Sequence, residues 1–339
     1  MNGLLMDQNS DTIIGSYLQE GCRNMAVESG SQKGKQSVLK RRSVVILATL
    51  FCCFLWGSAF PAVAASYDLL RVNLEDTFQI ILFAGIRFMI AASLIFAYAI
   101  ATGKKMRVEV KGLGKIAILG LLQTFGQYVF FFLSMRTVHP ANASILASTG
   151  IFFTVIIAHF IYKDDRLTSR KVLGLFLGMS GIVILNGGAS GTFSFTGEGF
   201  MIMSMLLSAV AGVYTKKLAR SLSPYAIAGY QLLLGSMLLI GLGLVFSGPP
   251  QLTLTWISTP LLVYLGFISA AAFTTWSAIL KHNHISKVSV YKFSIPIFGV
   301  LISFVFFRGT LDLVVVLISL ILVAVGIVLI NFERKVPTT

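Results

Sequence analysis

The sequence predicts an all-α integral membrane protein of ten transmembrane helices, and three observations carry that prediction. Hydrophobic residues make up 56% of the 339 and charged residues only 12%, with a mean hydropathy of +0.84. A soluble domain has too little polar surface in that balance to cover its core. The apolar residues fall into ten runs, each about long enough to cross ~30 Å of hydrocarbon. Lys and Arg collect in every second connection between those runs.

The runs lie near 44–66, 78–101, 114–135, 141–162, 171–188, 199–218, 225–246, 261–280, 287–307 and 312–331. Charge, glycine or proline bounds each of them. They are continuous rather than alternating, which predicts helices and not barrel strands. The fifth is the shortest, opened by Arg170-Lys171 and closed by Asn186-Gly187-Gly188.

Charge sets the predicted orientation. Of the 27 Lys and Arg residues, Arg23, Lys33, Lys35, Lys40, Arg41 and Arg42 lie in the tail before the first run. Lys104, Lys105, Arg107, Lys111 and Lys115 follow the second run, and Lys163, Arg166, Arg170 and Lys171 follow the fourth. Lys216, Lys217 and Arg220 come after the sixth, Lys281 and Lys287 after the eighth, and Arg334 and Lys335 after the tenth. Arg71, Arg136 and Arg308 alone fall on the other side, and Arg87 and Lys292 lie within runs. Such asymmetry places both termini in the cytoplasm. The net charge of +14 is then a topology signal with attraction to anionic lipid as its by-product, and no nucleic-acid partner is expected.

Residues 1–42 hold no hydrophobic period and are predicted to form a disordered cytoplasmic tail; Met25 offers a second start. No cleavable signal peptide is expected. Cys22 and the adjacent Cys52-Cys53 have no metal spacing and no disulfide framework. The predicted role of the pair is packing. His139, His159, His282 and His284 form no catalytic set, and the nucleotide-binding, hydrolase and metalloprotease motifs are missing. No catalytic residue, metal or cofactor is expected, and the chain is predicted not to be an enzyme.

The chain also repeats itself. "GIRFMIAASL" (85–94) aligns without gaps to "GYQLLLGSML" (229–238), and "NASILASTGIFF" (142–153) to "KVSVYKFSIPIF" (287–298). Both offsets correspond to five helices. An odd number per repeat turns the second copy over in the membrane, giving a 5+5 inverted-topology repeat of the kind that supports alternating access. The predicted divisions are a tail at 1–42, repeats at 43–188 and 189–332, and a cytoplasmic C-terminal tail at 333–339.

With "LWGSAFPAV" (55–63), the pair Arg87-Phe88, "KDDRLTSRKVLGLFLGMSGIVILN" (163–186) and "LILVAVGIVLIN" (320–331) in this order, the chain resembles the drug/metabolite transporter superfamily, EamA-type branch. The resemblance covers roughly 44–331. It implies ten helices in two inverted halves, transport of a small molecule, and export as the favoured direction. Two positions depart from the family pattern. Ile151, beside Gly150, stands where a proline is frequent, while Pro296 is kept in the second half. Arg308-Gly309-Thr310 stands where the second half usually carries a Glu.

Arg87 lies about ten residues from either end of its run, where an unpaired cation costs ~3 kcal/mol or more. It should face a partner or a wet cavity, either pinning helices through backbone carbonyls or binding a substrate anion. Its repeat partner Gln231 is neutral. Lys292 can snorkel to the interface or line a cavity, because Pro296 four residues later frees the carbonyl near it and loosens the helix where a gate could bend. Gln123 and Gln127 share a helix face beside Tyr128, and Trp56, Tyr230 and Trp276 can form aromatic walls. Ordinary helix packing accounts equally for these polar and aromatic groups.

The candidate substrate site is therefore Arg87, Gln123, Gln127, Tyr128, Tyr230, Gln231, Trp276 and Lys292, with Gly150 and Pro296 as candidate hinges. No Asp or Glu falls inside the runs except Glu198 and Asp312 at their margins, so ion coupling would use His159, carbonyls or the substrate. The expected activity is secondary transport of a small polar or amphipathic metabolite, such as an amino acid, across the inner cell membrane. The lipid bilayer and that small molecule are the expected partners, and oligomeric state is left open. Alternatives are a non-transporting membrane sensor or scaffold, and a carrier of nucleotide sugars or lipid-like molecules.

Overall fold

Helices occupy nearly all of the chain that the computed structural model describes, namely residues 41–138, 140–188, 193–250, 252–307 and 312–331. Cys22, His139, Arg308-Gly309-Thr310 and all but the last two residues of the predicted tail lie outside these residues, as do Arg334 and Lys335. Ten helical rods follow one another: α1 (Arg42–Leu70), α2 (Thr77–Ala101), α3 (Val110–Ser134), α4 (Pro140–Ile161), α5 (Ser169–Leu185), α6 (Phe195–Ala219), α7 (Pro224–Ser247), α8 (Ser258–His282), α9 (285–307) and α10 (Leu313–Asn331). There is no strand among the described residues. Nine rods are long and apolar enough to cross a membrane. The remaining rod, α5, has 17 residues, at 1.5 Å each about 26 Å.

Local chemistry sets the ends. Asp76 caps α2 by accepting from the amides of Phe78 at 2.9 Å and Gln79 at 3.4 Å, two donors with no partner inside the helix. Thr168 caps α5 through the Lys171 amide at 3.4 Å. Asn186-Gly187-Gly188 stops α5 as predicted: both glycines take positive φ, +73° and +90°, and the Gly188 amide closes back on the Val183 carbonyl at 2.9 Å. Helix α1 runs on to Leu70, four residues past its predicted end. Asp68 therefore lies inside the last helical turn, exposed.

Three rods are irregular. Gly120–Gly126 within α3 and Phe195–Gly199 at the start of α6 are π-helical. Helix α9 is broken, with α-helix over Ile285–Ser289, a 3₁₀ turn over Val290–Phe293, and α-helix again over Ser294–Phe307. Pro296 has no amide to give the carbonyl four residues back, so the chain tightens there.

The connections gather at two ends. At one, the α4–α5 loop meets the α8–α9 loop and the end of α6, and α10 finishes there with Asn331 donating to the Lys287 carbonyl at 3.3 Å. This is the basic end, holding the lysines and arginines that follow α2, α4, α6 and α8. At the far end, Gln79 donates to the carbonyls of Ser247 at 3.2 Å and Pro249 at 3.3 Å. The Thr253 amide reaches the Leu70 carbonyl there at 3.0 Å.

Helices at equivalent repeat positions pack on one another: α2 against α7, and α5 against α10. Small residues permit the second pairing. A Cβ on Gly174 would stand 2.7 Å from the Gly326 carbonyl oxygen, and one on Gly326 would stand 2.5 Å from that of Gly174, so the backbones touch where both side chains are missing. The core around α4, α5, α9 and α10 includes Ile151, Val155, Phe293 and Val323. A second core joins α2, α7 and α8 through Phe88, Leu232 and Phe273. The candidate site lies between these elements and α1.

Candidate functional site

Lys292 sits in the 3₁₀ turn of α9. Its ammonium lies 4.7 Å from the Trp276 ring centre and 5.5 Å from that of Trp56. The two indoles meet edge to face at 5.3 Å, and Trp56 also meets Phe273 at 5.9 Å. Helix α1 comes close enough to present Trp56 because the next residue is glycine: a Cβ on Gly57 would stand 2.6 Å from Phe298 Cβ and 2.9 Å from the Ile295 carbonyl oxygen. The Tyr291 carbonyl beside Lys292 accepts from Cys53 Sγ at 3.3 Å and Ser294 Oγ at 2.6 Å. Cys52 and Cys53 are buried free thiols, as their predicted packing role requires.

Arg87 is 8% exposed. Its guanidinium lies 4.4 Å from the Phe88 ring centre and next to the Tyr128 hydroxyl, within reach of Tyr67. Its Nε meets no acceptor among the described residues. Phe88 and Tyr128 touch at 4.6 Å, and both belong to the core that contains Phe273. Arg87 thus lies against one aromatic cluster, Phe88 and Tyr128, and Lys292 against another, Trp56, Trp276 and Phe273; Phe88 and Phe273 belong to the same buried core. A cation–π contact returns ~0.5–2 kcal/mol, less than the ~3 kcal/mol or more that a cation costs at this depth. Neither cation has a carboxylate partner among the described residues.

The other predicted site residues have different partners. Gln123 accepts from Thr215 of α6 at 3.4 Å, and the Gln127 carbonyl accepts from Ser204 of α6 at 2.8 Å. The Gln123 side chain, within the π turn, and the Gln127 backbone, next to it, thus serve the α3–α6 contact. Gln231 is buried at the α3–α7 contact, its carbonyl oxygen 2.8 Å from where a Gly120 Cβ would stand; its Oε1 meets no donor among the described residues. Tyr230 packs on Phe96 at 5.1 Å, away from Arg87 and Lys292. Helix α4 passes through Gly150 unbroken, and Gly150 faces Met205, whose Sδ is 3.4 Å from a notional Cβ. His159 accepts from the Leu167 amide at 3.0 Å and so orders the loop after α4.

Sequence reasoning missed the polar network at the basic end. Lys171 donates to Asp165 at 2.7 Å and to the Arg166 carbonyl at 2.7 Å. Asp165 also accepts from the Ser286 amide at 3.0 Å and from the Ser286 hydroxyl. Burial opposes ionisation of Asp165, but Lys171 and the Ser286 donors outweigh it and hold the carboxyl below the usual carboxylate range. Lys216 donates to the Asn283 carbonyl at 3.0 Å and lies over Tyr162, whose hydroxyl donates to the Val213 carbonyl at 2.9 Å. Asp164 stands 3.6 Å from His284, and burial keeps His284 below its ordinary value. The available signal was the pair Asp164-Asp165 in an otherwise basic loop.

A helical bundle with nine rods apolar enough to cross a bilayer among its described residues defines a polytopic membrane protein. The chain belongs to the EamA-like transporter family, whose model matches residues 43–187 and 195–332. It is similar to the uncharacterized transporter YoaV of Bacillus subtilis (strain 168), 23% identical over 302 residues, 86% of this chain and 99% of the relative. It is likewise similar to YyaM of the same organism, 26% identical over 262 residues, 74% of this chain and 84% of the relative. A third relative, from Salmonella typhimurium (strain LT2), is named "Probable amino-acid metabolite efflux pump"; it is 24% identical over 194 residues, 53% of this chain and 64% of that protein. A solved crystal structure shares the fold, with a TM-score of 0.70 at 21% identity, covering 85% of this chain and 96% of that one.

Proposed function

We propose that this transporter is a secondary carrier that exports a small polar or amphipathic metabolite, such as an amino acid, across the inner cell membrane by alternating access. The observation that carries the reading is a pair of aromatic clusters inside the bundle, each holding a cation with no carboxylate partner among the described residues, built by α1, α2, α3, α8 and α9, elements of both halves. Two matches to one family model and the packing of repeat-equivalent helices on each other support two inverted five-helix halves. In this reading all ten rods span the membrane, α5 included at the lower length limit, and the basic end with both termini faces the cytoplasm. The network around Asp165 then closes the cytoplasmic side and must separate for solute to enter from it. Helix α9, already broken at Lys292 and weakened by Pro296, is the element placed to bend, and Gly150 lets α4 slide on Met205. The efflux pump among the relatives supports export and an amino-acid-like solute.

The test is a screen of proteoliposomes loaded with metabolite mixtures, with and without a proton gradient, following which solutes leave. Protein-dependent loss of particular solutes is expected. Retention of every solute under both conditions, by protein that is folded and inserted, would sink the reading.

A further inference from the structure

We infer that the site selects a net-anionic carboxylate carrying an aromatic or apolar body, with Lys292 as its principal counter-charge and Arg87 as the second. The inference rests on the transport reading and narrows its substrate class.

The argument starts from the distribution of charge. Every described Asp and Glu stands in a connection or within the first or last turn of a helix. Asp76 is committed to the α2 cap and Asp165 to Lys171 and Ser286. The bundle interior that holds the two cations therefore carries positive charge and, among the described residues, no carboxylate. In surroundings of low dielectric such charges reach further than in water, so each class of solute meets a different field. A cation is repelled from both ends. A zwitterion gains at its carboxylate, but its ammonium must find carbonyls or ring faces beside an existing cation. A carboxylate without an ammonium supplies counter-charge and brings no further cation into the site.

The two cations suit different tasks. Arg87 offers a planar fork of donors whose Nε is still free, suited to a two-point grip on a carboxylate. Lys292 is a point charge between two indoles, where an aromatic body can stack while its carboxylate meets the ammonium.

The experiment uses the full chain in nanodiscs and three probes built on one ring: N-acetyl-L-phenylalanine (anion), L-phenylalanine (zwitterion) and L-phenylalaninamide (cation). Binding is followed by tryptophan fluorescence and checked by calorimetry. Trp56 and Trp276 flank Lys292, and the third tryptophan, Trp256, is 97% exposed, so it provides a steady background. The anion is expected to bind about tenfold or more tightly than either other probe, equivalent to one factor of ten in Kd. Lys292→Gln should abolish that preference, and Lys292→Arg should keep it.

Equal or tighter binding of the zwitterion or the cation overturns the inference, as does failure of all three probes at millimolar concentration. Both outcomes are read on the unaltered protein, whatever the variants do. A preference that survives in folded Lys292→Gln overturns the role of Lys292. Transport itself is judged by the liposome screen, which can succeed with a zwitterion or a cation while this inference fails.

Discussion

Lys171 ends 2.7 Å from the Asp165 carboxylate and 2.7 Å from the Arg166 carbonyl, whereas Lys292 ends between two indole rings with no carboxylate beside it. Both side chains are largely withdrawn from solvent, so the same desolvation cost is met in two ways. At the basic end it is offset inside the protein, by an ion pair whose carboxylate is also held by Ser286 across the α8–α9 connection. In the candidate site it is offset only in part, by the two indole faces, and the proposed anionic solute would supply the rest. A fully satisfied polar network holds one arrangement in place.

The comparison predicts opposite responses to removing charge. Asp165→Asn strands the Lys171 ammonium and weakens the Ser286 contacts, and should cost about 3–5 kcal/mol, seen as a large fall in thermal midpoint in detergent. Lys292→Met should leave that midpoint unchanged or raise it, yet weaken transport of an anionic solute by roughly ten- to a hundredfold, the worth of one charged hydrogen bond. If both changes lower the midpoint equally, the contrast between the two lysines is broken.

Gly174→Ala probes the seat of α5, the helix that carries Lys171, against α10. The added Cβ meets the Gly326 carbonyl oxygen at 2.7 Å, and a loss of ~1–3 kcal/mol is expected from overpacking, measured by the same unfolding assay. Acid should loosen the basic end and spare the candidate site. His284 is held below its ordinary value, so stability begins to fall as pH drops below about 6.5. Asp165 is also depressed, so its contribution is present above the ordinary carboxylate range and is lost as pH falls through its lower folded value. Hydrogen exchange at 162–168 and 283–289 should rise first, and Asp165→Asn should flatten the carboxylate part of that response. The smallest effect belongs to Tyr230→Phe, which removes only a hydroxyl from a ring packed on Phe96. Stability should change within ~0.5 kcal/mol and transport kinetics should stay at the parent level.

Much of this architecture was legible because lipid imposes simple rules on sequence. Helix positions followed from apolar runs, and most ends fell within a few residues of the predicted ones because caps and stops such as Asp76 and Asn186-Gly187-Gly188 are local chemistry. Arg87 and Lys292 could be singled out because a cation in an apolar run is conspicuous. Tyr230 could not be separated from Trp276, since aromatic spacing on one helix does not reveal which face meets a cation. Gln123 was legible as a polar group in an apolar run, but its partner Thr215 lies 92 residues further along the chain, on α6. The Asp165–Lys171–Ser286 network was hidden for the same reason: its last member lies 121 residues from its first.

The sequence by itself determined that this chain enters a membrane as a bundle of helices, because hydrophobic length and charge placement act on each segment separately. Which cations gain a carboxylate partner within the bundle was decided only by tertiary structure. Pairing depends on distances between side chains that the chain brings together from far apart, and one lysine was given an aspartate while the other was given two tryptophans.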